Sequence, residues 1–426
     1  MTPDHFRSLL RQHLLPLISG AVLVPEPAPS PVARPAVALR SRHSLEIKPS
    51  QDAPWCFTIT RLHPFASASN GPVTEKALAK AFVEDLAAMP PGFEASPYAS
   101  DLMARFGRRL VARTLCPEGM DRSAVLAAID QLDAWSSRSY EGHPIVAAVG
   151  FSAAGRTSSD VSLQEAWAED FSAVLTNSFD TMLVADGNGQ LLAYAAMAPP
   201  DPPPPLAPVR LGAVAHWCGQ HPDRLALVLN RNAELLALRH GQLVFARRGG
   251  RWFFLAPEAI VNQMGGPRGG EELRRAVYAS CLDASFAGSG ACLGILNKEF
   301  SSRLREIAPA ANDHLRPPLS AKARLLHQAI NGQPFHALDR RLRQEILAID
   351  GATILDHQGQ ILAAGAILKV PGGSSGGGRR AAAQALSTYG VGIKVSADGG
   401  IEGFKRATGS GAPAKGGSQE SFRLMV

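Results

Sequence analysis

Short runs of nearly continuous apolar residues alternate with stretches of helical periodicity in the last third of the chain. The apolar runs are 291–296, 352–368 and 392–395, and the helical stretches around them are 271–286, 320–331, 338–346 and 379–389. Strands that are apolar on both faces are typical of a sheet covered by helices. We therefore predict an α/β (α+β) fold over residues 271–406, with a mixed β-sheet flanked by helices.

The pattern is different upstream of this domain. Four short apolar runs separated by turn residues predict a small antiparallel β module over 209–262. Helical periodicity dominates the preceding region, 35–198, for which we predict a mostly helical α/β region of unknown role. Between the two lies Pro199 to Pro208, a proline-rich run typical of a stiff spacer, which we take as a domain boundary.

The two ends of the chain and one hairpin complete the predicted organisation. Residues 1–34 predict an N-terminal helix followed by a proline-rich linker, and the Gly- and Ser-rich residues 407–426 predict a disordered tail. A hairpin is expected over 182–197, and Asp186-Gly187 lies in its turn. We interpret this Asp-Gly pair as a turn and not as a site.

Composition narrows the class of protein. The chain has 426 residues, a net charge of +6 and five scattered cysteines without a C-x-x-C pair, as is typical of reduced thiols in a cytoplasmic protein. No apolar run reaches the roughly 20 residues that a membrane helix requires, so we predict no membrane partner. The arginines, for example Arg340, Arg341 and Arg343, lack interleaved aromatic residues. We therefore expect solvated helix faces and no nucleic-acid partner.

Candidate chemistry lies in two places near the C-terminus. Asp350 precedes a glycine at the start of a hairpin, where its carboxylate could hold Mg²⁺ or Mn²⁺ bridging phosphate oxygens. The Gly-rich loop 371–378 ends at two arginines and the start of a helix, a combination that favours anions. The candidate nucleotide-binding residues are Asp350, Gly351, Ala352, Gly376, Gly377, Gly378, Arg379 and Arg380, with Asp350 as the metal ligand.

Each of these features has a structural alternative. Asp350-Gly351 could be a turn that closes a helix onto a strand. The Gly-rich loop could be a flexible connection whose arginines face solvent, and it matches neither a Walker A pattern nor a dinucleotide fingerprint.

The order of the blocks resembles a known family. The blocks are G-A-C-L-G-I-L (290–296), D-G-A (350–352), I-L-A-A-G-A-I-L (361–368), G-x-x-R-R-A-A (376–382) and I-K-V-S (393–396). From about Glu271 to Phe404 this order resembles the nucleotide-binding domain of bacterial diadenylate cyclases. The resemblance implies that Asp350 binds metal and activates a ribose 3′-hydroxyl, the catalytic role if the domain is active, and that the Arg-rich block holds phosphates.

The chain departs from the cyclase pattern at the phosphate-binding triplet, R-H-R in the cyclases. Gly378 stands at the first arginine, Arg379 at the histidine and Gly377 at the preceding threonine, while Leu296 stands where the strand commonly ends in an acidic residue. Loss of one arginine removes about 2–3 kcal/mol of charge-assisted bonding to phosphate. The pattern thus looks closer to the group of cyclase-like domains called DACNV, which implies sensing.

Three functions remain open from the sequence. The first is a sensor of a nucleotide or cyclic dinucleotide in bacterial signalling or defence, and the second is an active diadenylate cyclase that makes cyclic di-AMP from two ATP. The third is a scaffold that binds no ligand. The expected partners are an adenine nucleotide or cyclic dinucleotide, a second copy of the chain in a homodimer, and an effector protein.

Overall fold

The computed structural model describes residues 1–31, 35–66, 73–90, 103–154, 161–176, 178–265, 270–370, 377–406 and 418–426. The chain divides into two compact units, Met1–Pro257 and Glu258–Val426. We call them the N-terminal unit and the C-terminal unit.

The N-terminal unit contains helices and β-sheets. Its helices are α1 (Pro3–Leu9), α2 (Glu75–Ala87), α3 (Phe106–Leu115), α4 (Arg122–Ser136), α5 (Leu163–Ala168) and α6 (Gly212–Gly219). Its strands are β1 (Ala21–Leu23), β2 (Ala28–Pro29), β3 (Val37–Ser41), β4 (Ser44–Ile47), β5 (Trp55–Arg61), β6 (Ser139–Tyr140), β7 (His143–Pro144), β8 (Ala147–Ser152), β9 (Thr181–Asp186), β10 (Leu191–Ala196), β11 (Arg224–Leu229), β12 (Leu235–Arg239), β13 (Gln242–Arg248) and β14 (Arg251–Phe254).

These strands form two larger sheets and a short hairpin of β6 with β7. A five-stranded sheet has the order β1-β5-β4-β3, with β2 also paired to β5. A seven-stranded sheet has the order β10-β9-β8-β11-β12-β13-β14. In it β8 and β9 are parallel, whereas the pairs of β9 with β10 and of β8 with β11 are antiparallel.

The structure corrects the predicted boundary between 35–198 and 209–262. The four strands of the expected β module are present as β11–β14, but β11 pairs with β8 over six residue pairs, so the module is not a separate domain. The proline-rich run 199–208 connects parts of one unit. Leu206 and Ala207 are buried, and the Leu206 carbonyl accepts a hydrogen bond from the Leu243 N–H at 2.9 Å. Proline has no backbone N–H and cannot donate a hydrogen bond to a neighbouring strand. A proline-rich connection that packs within one unit therefore has the same sequence pattern as a spacer between two domains.

The C-terminal unit is built around a single sheet. A short helix, α7 (Pro257–Val261), begins at the boundary, and the elements that follow are α8 (Glu271–Ala287), β15 (Ala291–Leu296), α9 (Leu304–Ile307), α10 (Ala321–Ile330), α11 (Arg340–Ala348), β16 (Ala352–Leu355), β17 (Ile361–Ala366), α12 (Gly378–Ser387), β18 (Gly390–Val395), β19 (Ile401–Arg406) and β20 (Ser418–Leu424). The strand order is β17-β16-β15-β18-β19-β20, with β15 and β16 parallel and the other neighbours antiparallel. The predicted mixed α/β fold is confirmed.

The end of the predicted disordered tail is ordered. Residues 418–424 form β20, which pairs with β19, and Phe422 and Leu424 are buried. The alternation of these apolar residues with polar ones fits a strand that buries one face, and the Gly- and Ser-rich residues before it masked that signal. Residues 407–417 lie outside the described part of the chain.

Helix α12 packs very closely on the sheet because glycines lie beneath it. A Cβ built on Gly392 would lie 1.8 Å from the carbonyl oxygen of Ala383, and one built on Gly294 would lie 2.7 Å from the Leu386 side chain. No side chain fits at Gly392 without moving the helix backbone. These two glycines therefore fix how closely α12 approaches β15 and β18.

We predict that Gly392→Ala lowers the free energy of unfolding of the C-terminal unit by about 1–3 kcal/mol, the usual cost of overpacking. Gly378→Ala is the matched control, because a Cβ there meets nothing within 4 Å and alanine favours a helix. Denaturant unfolding of both variants measures the difference. Equal stability of the two would contradict this account of the packing.

Candidate functional site

The parallel pairing of β15 with β16 brings two loop ends to one edge of the sheet. Cys292 lies opposite Ala352 in this register. Gly290 and Asp350 each lie two residues before this pair, so both lie at the same end of the sheet. We call this end of the sheet, where β15 and β16 begin, the starting edge.

Asp350 is an exposed acidic residue at the starting edge. The residue is exposed to solvent, and its carboxylate has no hydrogen-bond or ion-pair partner within the described residues. An exposed carboxylate without a partner is free to meet a cation or a hydroxyl group of a ligand.

The other two residues of the D-G-A block have structural roles. Gly351 has a φ of +110°, and a Cβ there would lie 2.5 Å from the carbonyl carbon of Gly365, so only glycine allows β17 to close on β16. Ala352 is 1% exposed and belongs to the hydrophobic core. Asp350 is therefore the residue of this block that the fold presents to a ligand.

The N-terminus of α12 is open. Gly377 precedes it with a φ of +86°, and no side chain caps the helix. The carbonyl of Gly377 accepts the N–H groups of Arg380 and Ala381, but the N–H groups of Gly378 and Arg379 have no recorded partner among the described residues. Gly376, the remaining predicted residue of this loop, lies outside the described residues. Two free donors and the helix dipole favour an anion here.

Arg379 connects this helix start to the starting edge. Gly290 has a φ of +61°, and a Cβ built on it would lie 2.9 Å from Nη1 of Arg379, so the guanidinium lies over this glycine. Arg379 is exposed and has no carboxylate partner among the described residues. Gly290 and Asp350 both precede the first paired residues of β15 and β16, so Arg379 and Asp350 lie at the same end of the sheet.

Arg380 is held elsewhere. Its side chain is 30% exposed, its Nε lies 3.4 Å from Glu402 Oε2, and its guanidinium lies 5.7 Å from the ring centroid of Phe404. Glu402 is 4% exposed and also pairs with Lys394 at 3.6 Å. Arg380 thus neutralises a buried carboxylate on the sheet, and this structural role competes with the phosphate-binding role predicted for it.

Two residues beside the site were missed in the sequence. Nζ of Lys322 donates to Asp313 Oδ1 at 2.6 Å and contacts the Gly365 carbonyl oxygen at 3.3 Å. Gly365 packs against Gly351, and so Lys322 lies next to the Asp350 corner. Lys322 and Asp313 lie in a helix and a short turn about thirty residues before the D-G-A block. No local sequence pattern therefore connects them to it.

Of the arginines at 340–343, Arg341 is exposed as predicted, but Arg340 and Arg343 are buried. Arg340 is 5% exposed and donates to both carboxylate oxygens of Asp283, at 2.7 and 2.9 Å. Arg343 is 8% exposed, and burial together with the nearby Arg340 charge lowers its pKa to about 10. The apolar stripe of α11 is short, and the aliphatic parts of its arginine side chains therefore contribute to packing on α8. These cations are therefore used inside the fold.

The residues at the corner suit a metal ion only together with a phosphate. Across the described residues there is no group of three or more His, Cys, Asp or Glu side chains that could hold a metal ion. Mg²⁺ is often bound by one or two carboxylates and by the phosphates of its substrate. Asp350 can supply one such carboxylate, so Mg²⁺ or Mn²⁺ would be held there by Asp350 and a nucleotide jointly.

The cysteines supply no nucleophile to this corner. Cys292, which lies on β15 behind the starting edge, is buried, and burial raises the pKa of its thiol to about 12, although Arg379 opposes the rise. All five cysteines are free. A thiol with so high a pKa is inert at neutral pH.

A cavity of about 650 Å³ lies at the opposite end of the same sheet. Its lining includes Glu271 and Glu272 at the start of α8, with His336 and His357. Arg275, which also lines it, is paired with Glu258 and Glu271. Its two carboxylates and its engaged arginine make this cavity a poor match for phosphate, in contrast to the starting edge.

Comparison with known proteins adds no assignment. No protein-family model matches the chain, and no curated protein matches it. Among the described residues, no helix has the length and apolar character needed to cross a membrane.

The two arginines should differ in their effect on stability. We predict that Arg380→Ala lowers the free energy of unfolding by about 1–2 kcal/mol, because it removes one of the two cations paired with Glu402 and removes packing on Phe404. Arg379→Ala should change it by less than about 0.5 kcal/mol, as an exposed side chain without an ionic partner does. Thermal and denaturant unfolding measure both, and a larger loss in Arg379→Ala would reverse the assignment.

Proposed function

We propose that the C-terminal unit binds the phosphates of an adenine nucleotide or cyclic dinucleotide at the starting edge and acts as a sensor. The observation that carries this proposal is that Asp350, Arg379 and the open start of α12 lie at the same end of the sheet. Within the described residues the Arg379 guanidinium and two N–H donors have no partner and suit phosphate oxygens, while the Asp350 carboxylate suits a bridging divalent ion or a ribose hydroxyl.

The number of free cations favours sensing over catalysis. A phosphoryl-transfer site stabilises developing charge with several preorganised cations and donors. Here Arg379 is free, whereas Arg380 is paired with Glu402 and Lys322 is paired with Asp313. Gly378 contributes a backbone donor but no charge. Such a corner can hold a phosphate but offers limited stabilisation to a transition state.

An active diadenylate cyclase is the second candidate. The observation that favours it is the exposed, unpaired carboxylate of Asp350, placed where it could support attack by a ribose 3′-hydroxyl. In that case two copies of the chain would each present one ATP. In the sensor, by contrast, ligand binding would bias a conformational equilibrium that a homodimer partner or an effector protein reads.

Thermal unfolding with ATP and with cyclic di-AMP tests binding. A ligand at 100 times its Kd should stabilise the folded chain by about 2.7 kcal/mol. Arg379→Ala should weaken binding about ten-fold or more, because it removes a charge-assisted contact to phosphate. Arg305→Ala, which removes another exposed and unpaired arginine of the same unit, is the matched control and should bind normally. No shift with either nucleotide, or equal loss in both variants, contradicts the proposal.

Incubation with ATP and Mn²⁺ separates the two candidates. The sensor should form no cyclic di-AMP at enzymatic turnover, as read by chromatography. Product formation that Asp350→Asn abolishes, with the variant still folded, would establish the cyclase instead. Product formation that survives Asp350→Asn would remove Asp350 from either role.

A further inference from the structure

The two units share one strand arrangement. In the C-terminal unit the order β17-β16-β15-β18-β19 has one parallel pair, β15 with β16. In the N-terminal unit the order β10-β9-β8-β11-β12 has its parallel pair at the same place, β8 with β9. The chain order of the strands is also the same, and a helix precedes the fourth strand in both units, α6 or α12.

The hairpin after the parallel pair has the same turn in both units. Asp186 Oδ1 accepts the N–H groups of residues 188 and 190, at 2.8 and 2.9 Å. Asp356 Oδ1 accepts those of residues 358 and 360 at the same two distances. A register shift follows at the same step in both hairpins, after the pairs Leu191 with Ala185 and Ile361 with Leu355. Asp186 therefore corresponds to Asp356, and Asp180, six residues earlier, corresponds to Asp350.

A second turn extends the correspondence to the starting edge. The Asn230 N–H donates a hydrogen bond to the Glu234 carbonyl, and the Ala233 N–H donates one to the Asn230 carbonyl. The turn from Ser396 to Gly400 repeats both bonds. The β11–β12 turn, with Arg231 in it, thus lies at the edge where β8 and β9 begin. This is the counterpart of the edge that carries Asp350.

A cavity of about 570 Å³ lies at this edge of the N-terminal unit. Ile145, Val146 and Val174 give it an apolar floor, while Tyr140, His143 and Arg231 supply rings and a cation. Its volume is in the range of sites that bind small molecules. Arg231 is exposed and has no partner among the described residues. Glu141, also in the lining, offers an acceptor for a hydroxyl or amine.

We propose that this cavity is a second ligand site, which takes a small anion with an aromatic body, of the size of a nucleoside monophosphate. The ring would lie against Tyr140 and the apolar floor, and Arg231 would bind the phosphate. The start of α6 corresponds to the start of α12, but the proposed ligand of the N-terminal unit does not bind there. A Cβ on Gly212, at the start of α6, would lie 3.4 Å from Pro203, so prolines cover that helix start.

Calorimetric titration of the full chain with AMP tests this site. Arg231→Ala and Tyr140→Ala should each raise the Kd for AMP about ten-fold or more. Adenosine and ribose 5-phosphate, which each lack one half of the ligand, should bind more weakly than AMP. Arg122→Ala is the matched control, since Arg122 is exposed and lies beside the opposite edge, where the N–H of Asp121 bonds to Gly187. Its Kd should equal that of the unchanged chain.

The same titration in Arg379→Ala separates the two proposals. AMP binding that survives Arg379→Ala but is lost in Arg231→Ala supports the N-terminal site even if the C-terminal unit binds nothing. Absence of AMP binding at millimolar concentration overturns it, as does binding that Arg231→Ala and Tyr140→Ala leave unchanged. All these side chains are exposed, so their loss should leave the thermal midpoint unchanged and binding losses can be read as local.

Discussion

The register of the parallel pair β15–β16 is the constraint on which the candidate site depends. It sets the starts of β15 and β16 at the same end of the sheet, and it is flanked by a helix that two glycines allow to lie directly on the sheet. A shift of one residue would send each side chain to the other face of its strand. Because the register is fixed by a buried core, the common end of the sheet at which Asp350 and Arg379 lie is a property of the fold.

Much of the C-terminal unit was predictable because its strands are apolar on both faces and separated by clear turn signals. The position of Asp350 and the helix start at Arg379 followed from local pattern. The role of Arg380 did not, because its partner Glu402 is more than twenty residues away on another strand. Lys322 was missed for the same reason, because contacts between segments far apart in the chain produce no periodic pattern in the sequence.

The misplaced boundary has a related cause. Polyproline at 202–205 resembles a spacer, and local pattern does not reveal that the strands on either side pair with one another. The Asp186-Gly187 pair forms a turn, as the sequence predicted, and it is the equivalent of the turn at Asp356 and not of Asp350. The true counterpart, Asp180, becomes visible only when hydrogen bonds and register define the alignment.

Hydrogen–deuterium exchange of the full chain with and without saturating ATP tests the central claim most directly, because it reports where the ligand binds. Phosphate held at the starting edge should slow exchange of the amides at 378–381 and near 350, since it satisfies the free donors at the start of α12. Protection confined to the cavity around Glu271 and His336, with no change at 378–381, would contradict the account.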